Sequence, residues 1–434
     1  MIRETTLLGS RLAEIPVPAG CSPEALSLRG HVQGKDVCFG VSEEQLSRHL
    51  LLIGATGTGK TNALLHMITQ LKHGMGPQDV MLVFDAKMDY EQFHVPGDSV
   101  ISNRPGAQSV KWNIFTDIVC DGWDEEAVFA GADEIGEVIF SQAISTSSQP
   151  FFPTCARDIF SAVLKAMCLL GAQESSFRDR YLNNRALGEY LTKLDAQRLA
   201  AFVSQFPSLC GVLKYIGSGQ SDQALGVFAE LQSVTGRLFV RCFGEDGRFC
   251  IRRMQRKRDR RTLFIQYDPA YGQALLPMYR VAVDLFLKEA LSPCRSGGKT
   301  YVICDELKML PHLAHLEDAL NFGRSLGICV IAGIQSMEQL YEVYGEYGGK
   351  NIASAFQNTL CFRTNNRASR AYIQDIHGEN LTTVRYVDQA NRLAEHTRCG
   401  HTVEDWDILS LRTGEAIVGL SGEKPFRFYM ERYR

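Results

Sequence analysis

A glycine-rich stretch between an apolar run and a helix carries the clearest chemical pattern in this sequence. Residues 54–61 read G-A-T-G-T-G-K-T, which matches the phosphate-binding pattern G-x-x-x-x-G-K-[ST]. Glycines in this loop let successive backbone N–H groups converge on phosphate oxygens at a helix N-terminus. We expect Lys60 to reach the β- and γ-phosphates and the Thr61 hydroxyl to ligate Mg²⁺. The candidate nucleotide-binding residues are Gly54, Ala55, Thr56, Gly57, Thr58, Gly59, Lys60, Thr61 and Asn62.

Two adjacent carboxylates follow another apolar run, residues 301–304. A buried strand that ends in Asp305 and Glu306 places the first acid to hold the Mg²⁺ shell and the second to orient an attacking water. Asp85 also ends an apolar run but has no acid after it, so we assign it to a neighbouring strand. For Asp85, a charge that caps the strand end and a role at the edge of the site both stay open.

A third apolar run, residues 328–334, presents Gln335 at its end, which is typical of a polar sensor of the γ-phosphate. Positive charge must also meet the transferring phosphoryl group, and in ring-shaped motors a neighbouring subunit often supplies it as arginine. Arg324 and Arg48 are the candidates, although position alone favours a solvated arginine for each.

Two further clusters have competing interpretations. Residues 252–261 carry seven cations in ten positions, which fits either a solvated surface turn or a contact with nucleic-acid phosphates. His396, Cys399 and His401 offer three ligands at irregular spacing without an obvious fourth, so a surface turn is favoured over a zinc site.

The elements around these residues predict an α/β fold with a mostly parallel sheet. An apolar strand, the glycine loop, a helix and a second apolar strand form a βαβ unit with a right-handed crossover. From residue 122 to 248 apolar residues recur at three- and four-residue spacing, which predicts an all-α insertion. The nucleotide-binding domain is therefore expected in two parts, 1–121, with a short strand region at 1–47, and 249–434.

The amino-acid composition limits the classes of protein to which this chain can belong. Of 434 residues, 45% are apolar and 22% charged, as in a folded globular chain. The net charge of −3 argues against a simple DNA-coating protein. Thirteen cysteines without a C-x-x-C pair fit a reducing cytoplasm. No run approaches the ~20 apolar residues that a bilayer crossing needs.

The motifs together resemble the TraD/TraG-like coupling ATPases of conjugation and type IV secretion, within the FtsK/HerA-like branch of RecA-type P-loop motors. The resemblance rests on the glycine loop, on residues 83–87 and 112–115, and most specifically on the run from Asp305 to Gln339. It implies a hexameric ring that hydrolyses ATP with Mg²⁺ and passes single- or double-stranded DNA through its channel. By position, Arg324 and Arg48 resemble the family's trans-acting arginines.

The resemblance also implies a relaxase or relaxosome and inner-membrane secretion components as partners. Family members usually begin with transmembrane helices, which this sequence lacks, so we expect a cytoplasmic chain that is either a soluble variant or is anchored at the inner membrane through a partner. Residues 85–89 read D-A-K-M-D where the family has an Asp-Pro-Lys-Gly-type motif, which leaves the role of Lys87 open. The alternatives are an ATPase that couples export of a protein substrate and a non-motor nucleotide-binding adaptor, against which Glu306 argues.

Overall fold

A computed structural model describes residues 3–14, 24–104, 106–217, 219–292, 297–387 and 393–434. Its centre is an eleven-stranded sheet in the order β3-β2-β14-β13-β10-β4-β9-β8-β5-β7-β6, beside a three-stranded sheet in the order β1-β11-β12. The strands are β1 (Arg3–Leu8), β2 (Glu24–Val32), β3 (Lys35–Ser42), β4 (Leu50–Ile53), β5 (Val80–Asp85), β6 (Ser99–Ile101), β7 (Arg261–Gln266), β8 (Thr300–Cys304), β9 (Ile328–Ile334), β10 (Asn358–Phe362), β11 (Glu379–Val387), β12 (Leu393–His401), β13 (Glu415–Gly419) and β14 (Phe426–Met430).

Helices cover both faces of the large sheet. They are α1 (Glu43–Leu46), α2 (Lys60–Gly74), α3 (Ile114–Ile118), α4 (Glu125–Thr146), α5 (Phe151–Gln173), α6 (Ser175–Tyr181), α7 (Asn184–Thr192), α8 (Ala196–Val203), α9 (Leu213–Ile216), α10 (Asp222–Thr235), α11 (Ile251–Lys257), α12 (Gly272–Leu291), α13 (Leu316–Phe322), α14 (Met337–Ala355), α15 (Arg367–His377) and α16 (Asp405–Leu409). No helix in these ranges has both the length and the apolar composition for a bilayer crossing.

The strands from β10 to β6 run parallel to one another, and those on the other side of β10 run antiparallel. Parallel strands covered by helices on both faces need apolar side chains on both faces, and β4 is apolar throughout. Leu51 and Ile53 point into one core, whereas Leu50 and Leu52 point into the core that contains α2. This two-sided burial explains why the central strands are continuous apolar runs.

The segment predicted to be an all-α insertion contains α4 to α10. Ile135 of α4 and Phe160 of α5 belong to the same buried cluster as Leu51 and Ile53 of the sheet. The helices therefore pack against the sheet through a shared core. The division of the chain into domains at residues 122 and 248 stays a prediction.

The three-stranded sheet was not expected from the sequence. Strand β1 pairs with β11 antiparallel, with Thr5 opposite Thr383, across most of the chain's length. Its strands have no continuous apolar run, and most described side chains of β12 are exposed or half-buried. A strand without one buried face has no clear alternation for sequence analysis to detect.

His49 lies just before β4 and adopts a positive φ of 63°. Its imidazole is 1% exposed, with Nε2 2.9 Å from the carbonyl oxygen of Leu320, while Nδ1 accepts a hydrogen bond from the N–H of Val330 at 3.1 Å. Burial lowers the pKa of His49 to about 4, against the opposing effect of the Leu320 carbonyl. The two contacts together select the neutral ring that carries its proton on Nε2.

We expect His49 to make the fold sensitive to mild acid. Its pKa is lower in the folded protein than in the unfolded chain, so its contribution to stability is present above pH ~6.5 and is lost as the pH falls toward 4. The free energy of unfolding should fall by about 2 kcal/mol from this residue between pH ~7.5 and ~5. Urea titrations at both pH values measure this, with His49→Asn as control, because asparagine tolerates positive φ and does not titrate. Equal pH slopes in both proteins would contradict the assignment.

Candidate functional site

The glycine loop between β4 and α2 has the backbone that a phosphate-binding loop requires. Gly57 and Gly59 have φ values of 76° and 125°, a region that other residues rarely adopt. A Cβ on Gly59 would lie 3.0 Å from the Cα of Gly414, and one on Gly54 would lie 2.6 Å from the Cβ of Phe362. Backbone conformation therefore requires glycine at residue 57, the close approach of Phe362 requires it at residue 54, and both reasons apply to Gly59.

Lys60 folds back over this loop. Its side chain is 5% exposed, and its Nζ donates to the carbonyl oxygens of Gly54 and, at 3.2 Å, Ala55. Burial lowers the pKa of Lys60 to about 8, while the nearby carboxylate of Glu306 opposes this shift. Thr58 donates to the same Ala55 oxygen at 2.7 Å and so braces the loop. The ammonium group is thus held beside the loop, next to the acid from a distant part of the chain.

The strand order explains how that acid reaches the loop. Strand β9 lies between β4 and β8, and all three are parallel, so their carboxyl ends meet at one edge of the sheet. Gln335, after β9, donates from Nε2 to Oε2 of Glu306, after β8, at 2.7 Å. Glu306 is 5% exposed, and its Oε1 has no hydrogen-bond partner among the described residues. One oxygen of this carboxylate is therefore held in place, and the other is buried without a hydrogen-bond partner.

Asp305 points into the same edge and is 2% exposed. The hydroxyl of Tyr90 and the backbone N–H of Ala86 each lie 3.4 Å from its carboxylate oxygens. Burial raises the pKa of Asp305 to about 7, and the positive charge of Lys87 opposes this. A buried carboxylate with only long hydrogen bonds gains most from a bound cation, so this donor set fits Mg²⁺.

The hydrogen bonds of the Asp85 carboxylate show what this residue does in the folded chain. Its fully buried carboxylate accepts hydrogen bonds from the backbone N–H groups of Lys87, Asp89 and Tyr90 at 3.0–3.3 Å. These bonds shape the turn that carries the exposed Lys87 and the buried Tyr90 to Asp305. Asp85 thus both ends its strand and lies at the edge of the site. Tyr90 was missed by sequence analysis, because no pattern around it indicates a contact with residue 305.

The remaining loop residues differ in what surrounds them. Ala55, Thr56 and Gly57 are exposed, and Thr61 is half-buried at the start of α2. The side chain of Asn62 donates to the carbonyl oxygen of Glu431 at 2.9 Å and accepts from the N–H of Tyr433 at 2.8 Å. Because both polar atoms of this side chain are occupied, we expect Asn62 to contact a nucleotide only through its backbone.

The two candidate arginines, Arg324 and Arg48, lie close to each other but not beside the glycine loop of the same chain. Arg324 is in a 3₁₀ turn before β9, and Arg48 is just before β4, so both lie at the amino edge of the sheet. Each contacts Oε1 of Glu44, at 3.3 Å and 2.8 Å respectively. Because β9 has seven residues, this edge is about 23 Å from the carboxyl edge.

Several cations of the basic run bond to other residues of this chain. Arg252 and Arg256 both bond to Glu289, at 3.0 Å and 2.7 Å, and both pair with Asp121. Arg258 is 2% exposed and donates to the carbonyl oxygen of Lys299 at 2.7 Å. These three arginines hold α11 against neighbouring segments, so neither a solvated turn nor a phosphate contact describes them.

Residues 396–401 lie on strand β12 and not in the surface turn that the sequence favoured. His396 and Cys399 are three residues apart on β12, so their side chains point to opposite faces. Within the described residues, the histidine and carboxylate atoms that lie close enough together to hold a metal ion belong to Glu134, Asp284 and His315. His315 lies 2.8 Å from Asp284, and Glu134 pairs with Lys288, so these charges neutralise one another.

Two known proteins are similar to this chain in sequence. The chain is 21% identical to the coupling protein TraD of Escherichia coli (strain K12) over 328 residues, which are 73% of this chain and 42% of TraD. It is 26% identical to the conjugal transfer protein TraG of Rhizobium radiobacter over 420 residues, 88% of this chain and 61% of TraG. The chain thus spans about two fifths of the length of TraD and three fifths of that of TraG.

The fold is shared with solved structures. The bacterial conjugative coupling protein TrwBΔN70, in an unbound form, aligns with a TM-score of 0.75 and 22% identity over 94% of this chain and 89% of its own. TrwB in complex with ADP and Mg²⁺ aligns with a TM-score of 0.72 and 21% identity over 100% and 94%. The predicted α/β fold of RecA type is confirmed. A sequence profile described as the type IV secretion-system coupling protein DNA-binding domain matches residues 37–403, and the chain therefore belongs to that family.

Proposed function

We propose that this chain is the ATP-hydrolysing subunit of a coupling protein that moves DNA toward a type IV secretion channel. The observation that carries the proposal is the contact between Gln335 and Glu306, which leaves Oε1 of Glu306 without a hydrogen-bond partner near Lys60. An acid held in this way is suited to orient a water molecule for attack on a γ-phosphate. A nucleotide-binding adaptor has no need of it.

The residues of the glycine loop would hold the nucleotide through their backbone N–H groups, with Lys60 exchanging loop carbonyl oxygens for phosphate oxygens. Thr61 and Asp305 would hold Mg²⁺, which would supply positive charge to offset the charge that develops on the phosphates. Gln335 fixes the rotamer of Glu306 and so couples strand β9 to the state of the γ-phosphate. The relative TrwB has been solved with ADP and Mg²⁺, which supports this assignment.

The arginines support a ring, expected to be a hexamer. In a head-to-tail ring the amino edge of one subunit's sheet can face the carboxyl edge of the next, so that Arg324 or Arg48 reaches a neighbour's phosphates. A lone subunit would then hydrolyse ATP slowly. The relaxase or relaxosome and inner-membrane secretion components are the proposed partners, and contact with the membrane would be made through those components.

We expect DNA to stimulate ATP hydrolysis and to bind with a steep dependence on salt. If about six phosphates are contacted, affinity should fall roughly 10³-fold between ~50 and ~200 mM salt, because binding releases counterions. Steady-state ATPase assays with single- and double-stranded DNA, and gel shifts at several salt concentrations, measure both effects. A hydrolysis rate that stays unchanged at saturating DNA would contradict DNA movement.

A second candidate is an ATPase that couples the export of a polypeptide. The observation that favours it is the internal pairing of Arg252, Arg256 and Arg258, which removes these cations from a DNA-binding surface, together with the net charge of −3. The salt titration separates the two functions, since a polypeptide substrate releases few condensed counterions. Stimulation by a secretion substrate but not by DNA would favour export.

A further inference from the structure

Helix α14 is broken near its middle. Gly345 has φ and ψ values of 72° and 165°, which lie outside the helical region. A Cβ on Gly349 would lie 2.7 Å from Cδ1 of Tyr341 and 3.1 Å from the carbonyl carbon of Leu340. In a straight helix, residues 340 and 349 would be about 13 Å apart along the axis. The chain therefore turns back sharply at Gly345.

This turn forms an exposed tip, which we define as residues 345–348. Tyr347 is 85% exposed, the largest exposed fraction among the large apolar side chains of the described residues. A single exposed aromatic ring is common on a protein surface and needs no partner by itself. What distinguishes Tyr347 is that the helix leading to it is tied to the candidate hydrolysis site.

The segment after β8 contacts both the start of α14 and the residue before its break. The contacts are Gln335 Nε2 to Oε2 of Glu306 at 2.7 Å, Lys308 Nζ to Oε2 of Glu342 at 2.9 Å, and the Tyr344 hydroxyl to the carbonyl oxygen of Leu310 at 3.1 Å. They occur at every second residue from 306 to 310. A displacement of Glu306 that follows the γ-phosphate would therefore pass along the first half of α14 to the tip.

The charged side chains around the tip pair with one another. Glu346 lies 2.6 Å from Lys350, and Glu342 pairs with Lys308. These pairs leave no surplus of positive charge for the phosphates of a nucleic acid. An aromatic ring instead contacts unpaired bases by stacking, which tolerates any base sequence. The chemistry of the tip thus fits the bases of a single strand better than the backbone of a duplex.

We infer that Tyr347 contacts single-stranded DNA and that its ring stacks on an unpaired base. The inference rests on the proposed function and adds to it the type of strand and the residue that touches it. Each subunit of the ring would present one tip to the strand, and the contacts of Glu306 with the segment before α14 would link the position of the tip to the state of the nucleotide. The salt dependence of binding would come from phosphate contacts elsewhere.

The test is the affinity of the full chain for a fluorescent single-stranded oligonucleotide and for an abasic strand of the same length, measured by fluorescence anisotropy. Tyr347→Ala should weaken binding to the normal strand about tenfold, because one stacked base is lost, and should leave binding to the abasic strand unchanged. Tyr347→Phe keeps the ring and should bind both strands as the wild type does. The control is Trp406→Ala, which removes an exposed ring from α16 and should change neither affinity.

The outcomes separate this inference from the proposed function. Equal affinities of the wild type and Tyr347→Ala for the normal strand, or an equal loss on both strands, would overturn the stacking contact and leave the proposed function standing. A wild type that binds neither strand would overturn both. Loss of ring assembly in Tyr347→Ala, measured by sedimentation, would show that the tip packs against a second copy of the chain and would also overturn the inference.

Discussion

Glu306→Gln is expected to bind ATP and Mg²⁺ as the wild type does and to hydrolyse ATP about 10²- to 10⁴-fold more slowly. Glutamine has the same shape, and its side-chain oxygen can still accept the hydrogen bond that Gln335 donates. What is lost is the negative charge that Oε1, the oxygen without a hydrogen-bond partner, would use to take a proton from the attacking water. Binding and catalysis should therefore separate cleanly in this variant.

Single-turnover hydrolysis measures the chemical step, and a fluorescent ATP analogue measures binding. The matched control is Lys60→Ala, which should lose binding and turnover together, because the ammonium beside the loop is removed. A Glu306→Gln rate within about twofold of the wild type would exclude Glu306 as the water-orienting acid. Turnover that survives Lys60→Ala would mean that the phosphate site lies elsewhere.

Arg324→Ala is expected to lower the ATPase rate of the assembled ring by about 10³-fold or more, because an arginine finger stabilises the transition state to that extent. The side chain is 52% exposed and, among the described residues, forms an ion pair with Glu44, so it is available to a neighbour. Arg48 is less available, at 27% exposure, with further bonds to Ser421 and Gln357. We therefore expect Arg324→Ala to have the larger effect on catalysis and Arg48→Ala the larger effect on stability.

Mixing of inactive variants tests whether the arginine acts in trans. Arg324→Ala subunits keep an intact phosphate loop, and Lys60→Ala subunits keep an intact arginine, so a 1:1 mixture should regain activity at about one interface in four. The control is a double variant, Lys60→Ala with Arg324→Ala, which has no arginine to give and should not rescue Arg324→Ala. Failure of the first mixture to regain activity in co-assembled rings would contradict a trans role.

Several elements of the site could be predicted because they depend on neighbours in sequence. Residues 54–61 form the turn from β4 into α2, and the predicted run 328–334 coincides with β9. Apolar runs become buried strands when helices cover both faces, and polar residues that follow such runs lie at the sheet edge. Most residues of the candidate site could therefore be recognised from short stretches of sequence.

Other features depended on charges and backbone groups that are distant in sequence. The cations of residues 252–258 looked available for phosphates, yet Asp121 and Glu289 neutralise two of them from more than thirty positions away in either direction. The hydroxyl of Tyr90 reaches Asp305 because Asp85 binds the backbone N–H of Tyr90 and so shapes the turn that carries this residue. The pairing of β1 with β11 likewise joins the two ends of the chain.

By itself the sequence located the glycine loop, the adjacent acids Asp305 and Glu306, Gln335 at the end of an apolar run, and the parallel α/β fold, because each follows from patterns of neighbouring residues. The roles of these residues in hydrolysis stay predictions. Only the tertiary structure decided that β9 inserts between β4 and β8, that Gln335 therefore holds Glu306, and that Arg324 and Arg48 lie at the opposite edge. The physical reason is that strand order and ion pairing are long-range choices, set by which buried surfaces and charges fit together across the whole chain.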